Sequence, residues 1–360
     1  MKIESVSYYD KADGSCSFEI TIVDKPLMFI GFNQPINKNI IGDCLLLLIL
    51  FQSMEEKSAI EIPKEYPVSK LLLSNAIKLQ DVFSRWYPKL SVVAIEATSK
   101  DPEPSNDKVS SFFSGGADSF YTFLKNKNEI SDLLLCIGLD IQLWEEEKIK
   151  EAKLFYQTLA KNYDKNLLIV TTNIRQIFPK FDYLVQTGAV LSGLTLMFAG
   201  QRILVPATFN INELIPLGTH PLTDQYFSNG TTRVEHHDAI NRSEKMTYLA
   251  KFPDALDSVR VCNSSSEFNC GTCEKCLRTM FALGILGVTS KSMPSIFDSI
   301  PLLKKLNVYK EVNYIEWRDN MNFSLQYNCP ELQKQAKRIV RNYEIRLWLK
   351  EAKRLLFKRG

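Results

Sequence analysis

From residue 108 onward, short β-branched and aromatic runs alternate with stretches whose apolar residues recur every three or four positions. The runs KVSSFF, DLLLCIGLD, NLLIVTTN and RILVPATF read as strands. The segment 118–126, the charged WEEEKIKEAKLFYQTLAKNY and the mostly apolar YLVQTGAVLSGLTLMFAG read as the helices between them. This alternation predicts an α/β fold built on a doubly wound parallel sheet. Ligands of such sheets gather at the carboxyl ends of the strands, where Ser114, Asp140, Thr172 and Ala207 fall. The chain before residue 100 has another texture: strand-like SCSFEITIV and SVVAIEA, a helix around 45–54, and SKLLLSNAIKLQDVFSRWYP, a helix with Ser69 as N-cap that stops at Pro88. TSKDPEPSND, with its prolines and turn formers, reads as a linker. The predicted organisation is an N-terminal α+β domain over 1–105, an α/β domain over 106–300 that includes a cysteine-rich segment at 255–290, and a helical basic region over 301–360.

With 45% hydrophobic and 24% charged residues, the 360-residue chain matches ordinary globular composition and excludes a fibrous repeat or long disorder. The longest greasy run, CLLLLILF at 44–51, is too short for a hydrocarbon layer that needs roughly 20 residues. No membrane span is expected. The opening residues lack a signal peptide's apolar region, which predicts a cytoplasmic location. The net charge of +3 hides a gradient: residues 334–360 hold ten Lys/Arg and two Glu, leaving a body of 34 basic and 39 acidic residues. In that tail Ile345, Trp348, Leu349, Ala352, Leu355 and Leu356 form one apolar face opposite Arg346, Lys350, Lys353 and Arg354. Such a helix is expected to pack on its own protein; a protein partner, nucleic acid or a membrane surface are the lesser readings.

One turn carries chemistry. In SFFSGGADSFYTFL, residues 111–124, a strand runs into two glycines and straight into a helix. Adjacent glycines let several N–H groups converge on one anion while the helix offers its positive end, so phosphate fits. Ser114 and Ser119 add hydroxyls; Asp118 could hold Mg2+ or fix the loop. The competing reading is a capped turn without a ligand. The run has neither the Gly-Lys-Ser/Thr ending of a Walker loop nor GxGxxG.

A second motif is VCNSSSEFNCGTCEKCLRTM, which places Cys262, Cys270, Cys273 and Cys276 at C-x7-C-x2-C-x2-C. Four thiolates suit the tetrahedral preference of Zn2+ and would close its coordination shell, making the site structural. An iron–sulfur cluster or a redox pair are the alternatives.

SGGADS resembles the signature of the PP-loop, or N-type ATP pyrophosphatase, family. The resemblance implies a HUP-like fold and cleavage of ATP between its α and β phosphates to give an adenylated substrate and pyrophosphate. It carries Ser114, Gly115, Gly116, Ala117, Asp118 and Ser119 over as the pyrophosphate clasp. By position it places adenosine against Leu139, Asp140, Thr172 and Asn173. Arg242 and Lys245, in NRSEKMTYLA, resemble the basic residues of the helix after the family's substrate loop; the plainer reading is that Glu244 and Lys245 are exposed helix charges. Together with the cysteine spacing, the turn resembles the QueC branch, the 7-cyano-7-deazaguanine synthases, over residues 108–290. That implies ATP, Mg2+ and Zn2+, a small-molecule acid substrate such as 7-carboxy-7-deazaguanine, and an amine acceptor. The longer QueC-like proteins resemble those of antiphage defence clusters.

The family's usual base-recognising loop is missing; its place reads IPLGTHPLTDQYFSNGTTRVEHHD. All three histidines of the chain, His220, His236 and His237, fall here with Asp224 and Asp238. His220 and Asp224 are the substrate-loop candidates, against a solvated turn. Two further function classes stand beside the adenylating enzyme: a nucleotide-binding interaction module without turnover, and a PP-loop RNA-modifying enzyme.

Overall fold

A computed structural model describes residues 1–178, 182–262 and 268–357. The chain is mixed α/β and groups into two compact units. The first comprises Met1–Ser114, Thr122–Ala207 and Leu214–Ala239; the second comprises Gly115–Tyr121, Thr208–Glu213 and Ile240–Gly360.

In chain order the first unit begins with strands β1 (Ile3–Asp10), β2 (Cys16–Ile22) and β3 (Met28–Phe32), then helix α1 (Ile41–Glu56). Two-residue strands β4 (Ile60–Glu61) and β5 (Val68–Ser69) precede α2 (Lys70–Trp86), and β6 (Ile95–Glu96) and β7 (Ser99–Lys100) follow it. Next come β8 (Val109–Phe112), α3 (Ala117–Lys125, whose residues up to Tyr121 belong to the second unit), β9 (Ile130–Ile137), α4 (Glu146–Asn162), β10 (Asn166–Thr172), α5 (Ile174–Ile177), α6 (Tyr183–Leu196), β11 (Arg202–Pro206) and β12 (Arg233–His237). SVVAIEA, expected as a full strand, forms only the two residues of β6.

Eight strands make one sheet in the order β1-β2-β3-β10-β9-β8-β11-β12. From β10 to β12 the neighbours run parallel, the expected arrangement. The front strands do not form a sheet of their own: β1, β2 and β3 pair antiparallel, and β3 pairs antiparallel with β10, so they extend the same sheet. Successive strands β8, β9 and β10 step one way from the centre and β11 and β12 the other, which sets the topological switch point between β8 and β11. One sheet face meets α1 and α6 in a continuous apolar core. Residues 41–54 of α1 are buried all round, the condition under which a helix can be greasy on every side. Ser69 stands at the N-cap of α2, yet its hydroxyl is not a cap; it donates to the buried Asp43 at 2.6 Å.

The second unit contains α7 (Arg242–Leu249), α8 (Pro253–Leu256), α9 (Glu274–Leu286), α10 (Ile300–Lys305), α11 (Glu311–Gln326) and α12 (Pro330–Phe357). Trp317 of α11 is fully buried and meets Phe281 of α9 edge to face at 5.3 Å. By rise per residue α11 is about 24 Å long and α12 about 42 Å. The start of α11 meets α12 at Tyr343, whose ring stacks on Tyr314 at 4.5 Å. Beyond that point α12 outruns its partner, which is why Ile345, Trp348 and Leu349 stand exposed instead of packing as expected.

Candidate functional site

The carboxyl end of β8 leads into the glycine turn. Gly115 has φ +76°, a conformation that disfavours any side chain, and the turn ends in the first residues of α3. The Ser119 hydroxyl donates to the Gly116 carbonyl at 2.9 Å, and Arg260 N–H donates to the Gly115 carbonyl at 2.8 Å. Both bonds fix the turn's carbonyls. In this arrangement Ser119 braces the loop.

Asp118, in the first turn of α3, is where the site's charge collects. Lys245 Nζ lies 2.9 Å from one carboxylate oxygen and Arg242 NH1 3.2 Å from the other. Burial would raise the Asp118 carboxyl, but the Lys245 and Arg242 charges outweigh it and hold it below the usual carboxylate range. Both cations come from α7, one helical turn apart, and Lys245 is buried. Lys245 is thus not the exposed helix charge of the plainer reading, whereas Glu244 is exposed. The start of α7 is held by Asp319 of α11, which accepts from Ser243 N–H at 2.8 Å and from the Ser243 hydroxyl at 2.7 Å.

Behind this pair runs a line of buried charges that sequence reasoning missed. Arg242 Nε stands 3.6 Å from Glu316 and Arg278 3.8 Å from the same Glu316 oxygen, while Arg278 also faces Glu274 at 3.7 Å. Trp317 Nε1–H donates to Glu274 at 2.8 Å. Burial pushes the Glu316 carboxyl up against the pull of the two guanidinium groups. The signal available was Arg278, a lone charge inside the apolar run CLRTMFALGIL, and Glu316 between Ile315 and Trp317. A charge on the buried stripe of a helix needs a partner.

Glu274 directly follows Cys273, the N-cap of α9. The Sγ atoms of Cys262, Cys270, Cys273 and Cys276 all lie within 4.8 Å of one another and could hold a metal ion. The Cys262–Cys273 and Cys270–Cys276 separations are 3.8 and 3.9 Å. A tetrahedral zinc with bonds of about 2.3 Å spaces its sulfurs by about 3.8 Å, so the donor set fits that ion. A cluster of several irons would spread the thiolates wider. Cys270 Sγ also accepts from the N–H groups of Cys273 at 3.3 Å and Thr272 at 3.5 Å. The Cys276 thiol is pushed up by its hydrogen bond with Cys273 and by burial; a cation among the sulfurs reverses that balance. Residues 263–267, inside this motif, lie outside the described residues.

The expected strand-end positions belong to the first unit. Gly138, with φ +94°, lets the end of β9 approach β10 so closely that a side-chain carbon there would meet the Thr172 carbonyl at 1.8 Å. The Leu139 carbonyl accepts from Gln142 and from Arg175, both at 2.6 Å, and Asp140 is half-buried beside it. Thr172 is fully buried and its hydroxyl oxygen accepts from Ile174 N–H at 3.2 Å. The Asn173 amide ties down the start of β3, accepting from Phe29 N–H at 2.7 Å and donating to the Leu27 carbonyl at 3.0 Å.

The histidines separate by the alternation of a strand. His237 turns to α3, with Asn126 Nδ2 at 2.7 Å and the Thr122 hydroxyl at 3.2 Å from its ring nitrogens. His236, on the opposite face of β12, lies 2.7 Å from the fully buried Asp224 through Nδ1. The other Asp224 oxygen accepts from His220 N–H at 2.8 Å. Asp238, just past β12, has φ +50°. The structure thus brings His220, Asp224 and His236 onto one carboxylate, and Trp86 lies against the His220 ring at 4.9 Å.

Among the described residues no helix is long and apolar enough to cross a membrane. No family model, no curated protein and no solved structure matches the chain.

Proposed function

We propose that the chain is an ATP-dependent, AMP-forming enzyme of PP-loop type that resembles the QueC branch. The observation that supports this best is the glycine turn opening α3 with Asp118 held by Lys245 and Arg242. Here the anion is held by N–H groups of residues 114–119 and the helix end. Lys245 and Arg242 act first as positioning residues: with their charge engaged by Asp118, they fix the loop and keep the surroundings positive. Mg2+ would enter with the nucleotide's phosphates, and Zn2+ on the four cysteines would serve as scaffold.

In the first step an oxygen of the acid's carboxylate attacks the α phosphorus of ATP and the bond to the β-bridging oxygen breaks, releasing pyrophosphate. In the second, an amine nitrogen attacks the acyl carbon, the bond to the AMP oxygen breaks, and one proton leaves. Charge developing on pyrophosphate is met by donors already in place, so stabilisation needs no rearrangement. 7-Carboxy-7-deazaguanine is the first acid to try.

The engagement of Asp118 with two cations favours one second reading, a nucleotide-binding module that does not turn over. Mixing the protein with ATP, Mg2+ and a panel of acids that includes 7-carboxy-7-deazaguanine separates the two. The enzyme releases pyrophosphate and AMP in equal amounts. ATP binding without pyrophosphate selects the module, and absence of ATP binding retires both.

A further inference from the structure

Helix α12 reverses its amphipathic pattern at its middle. Along its inner side Leu332, Ala336, Ile339 and Tyr343 follow one another at three- and four-residue steps, and all four are buried. The same line goes on as Arg346, Lys350 and Lys353. On the opposite side the order is inverted. Lys334, Lys337 and Arg341 stand exposed there, and their line goes on as the exposed Ile345 and Trp348 and the half-buried Ala352, with the exposed Leu349 beside it. Steps of three and four keep each line on one face of a helix of about 3.6 residues per turn. Leu347, exposed near the inner line, is the one apolar residue of 345–352 that departs from this order.

A helix of a globular protein carries its apolar stripe on the side that faces its core. In α12 that stripe crosses to the far side near Glu344, so the last turns present their apolar residues away from α11. The end of cover by α11 leaves these residues exposed; the inversion decides which side they show. The inner line is meanwhile tied to its own unit as cations: Arg346 NH1 donates to the Val308 carbonyl at 3.1 Å, and its guanidinium lies 4.4 Å from the Tyr309 ring. Charge then narrows what the outward face can meet. Residues 334–360 hold ten Lys/Arg and two Glu, so a second copy would set ten more cations against these ten. Neither acid is on the outward line, and Glu344 accepts from the Tyr314 hydroxyl at 3.0 Å. Nucleic acid phosphates would answer the cations but leave Ile345, Trp348 and Leu349 without an apolar partner. An anionic bilayer answers both halves, with headgroups for the cations and the acyl boundary for the apolar turns.

We propose that the outward face of α12 docks the protein on the surface of an anionic bilayer, Ile345, Trp348 and Leu349 entering the boundary between headgroups and acyl chains while Lys334, Lys337 and Arg341 meet lipid phosphates. The helix lies on the membrane and does not span it; among the described residues no helix is long and apolar enough to cross. Arg346, Lys350 and Lys353 stay behind the helix, within its diameter of about 10 Å. That is about one Debye length at 0.1 M salt, so they add to the attraction. The proposal is independent of the ATP reading, because no residue of α12 belongs to the glycine turn or its cations.

The test sediments the full, metal-loaded chain with vesicles of phosphatidylcholine alone or of phosphatidylcholine mixed with phosphatidylglycerol. Binding to the anionic vesicles should be about tenfold tighter or more, and should weaken as salt is added. Lys337→Glu combined with Arg341→Glu should cost about tenfold or more, as should Trp348→Ala, while Trp348→Phe should keep most of the affinity. All of these positions are exposed, so the variants leave the packing of the unit alone. A blue shift of tryptophan fluorescence on adding anionic vesicles, lost in Trp348→Ala, should place that ring at the boundary in preference to Trp86, Trp144 or Trp317. No binding to anionic vesicles, or equal binding by wild type, Trp348→Ala and the double reversal, overturns the proposal. So does tighter binding to an oligonucleotide that anionic vesicles do not displace, which gives the face to nucleic acid, or a dimer abolished by Trp348→Ala, which gives it to a second copy.

Discussion

The two units are stabilised by different physics. In the first, α1 is buried on every side, and its one buried acid, Asp43, is met by neutral partners: Ser69 N–H and hydroxyl at 2.6 Å and Asn229 at 2.7 Å. In the second, Asp118, Lys245, Arg242, Arg278 and Glu316 share an interior with four thiols. Apolar burial is indifferent to metal and nearly so to pH, whereas charges and thiolates fold only in the right ionisation state. The apolar core around α1 is therefore indifferent to metal, whereas the unit with the glycine turn is conditional on ions.

The metal is the sharpest way to break that contrast. Cys273→Ser removes one of four ligands and the N-cap residue of α9. Structural zinc contributes about 10 to 16 kcal/mol to isolated finger peptides. The variant, or the wild type with a chelator, should lose its metal by elemental analysis and melt the helices of the second unit first. Retention of one metal per chain in the variant would remove the site.

Next in size is Lys245→Met. It leaves the Asp118 carboxylate with Arg242 alone, and breaking a buried pair on one side costs about 3 to 5 kcal/mol. Asp118→Asn in the same chain should restore much of this, which a double-mutant cycle reads directly. The pH sign follows from the lowered Asp118 carboxyl. Its contribution is full above the ordinary carboxylate value of about 3.9 and is lost as the pH falls through the lower folded value. Acid unfolding of the second unit should begin at higher pH in Lys245→Met than in the wild type.

The matching probe of the first unit is Leu46→Ala in α1. Leu46 is fully buried, and the cavity should cost about 2 to 5 kcal/mol. That loss should not change with chelator. If it did, the two units would not be separable in the way the burial pattern implies.

How much of this was written in the sequence follows the same division. The strands from 108 onward, the greasy α1 and the cysteine spacing are local patterns, and each appears where its pattern lies. That β1, β2 and β3 extend the sheet through β10 was not legible, because pairing of β3 with β10 joins residues about 140 apart and no local period reports it. The Glu316–Arg278 line was hidden for a similar reason: single charges on α9 and α11 are ordinary until the fold buries them side by side. The Asp224–His236 pair was half visible as a histidine-rich loop. What the sequence could not show was that strand alternation sends His236 to Asp224 and His237 to Asn126.

The smallest effect belongs to the end of α12, and it tests whether length alone explains exposure there. Trp348 is 67% exposed, although the apolar spacing of Ile345, Trp348 and Leu349 would suit a packed helix. The cause is geometric: α11 ends its cover at Tyr314 and Tyr343, and Arg346, whose NH1 reaches the Val308 carbonyl at 3.1 Å, ties the following turn. A large side chain that touches little contributes little, so Trp348→Ala should move unfolding by no more than about 0.5 kcal/mol, read by denaturant titration of the metal-loaded protein. Tyr343→Ala, one turn earlier and under the Tyr314 ring, serves as the positive control because it removes a stacked contact. If Trp348→Ala costs as much as Tyr343→Ala, the helix end is packed in solution and the exposure of its apolar stripe is wrong.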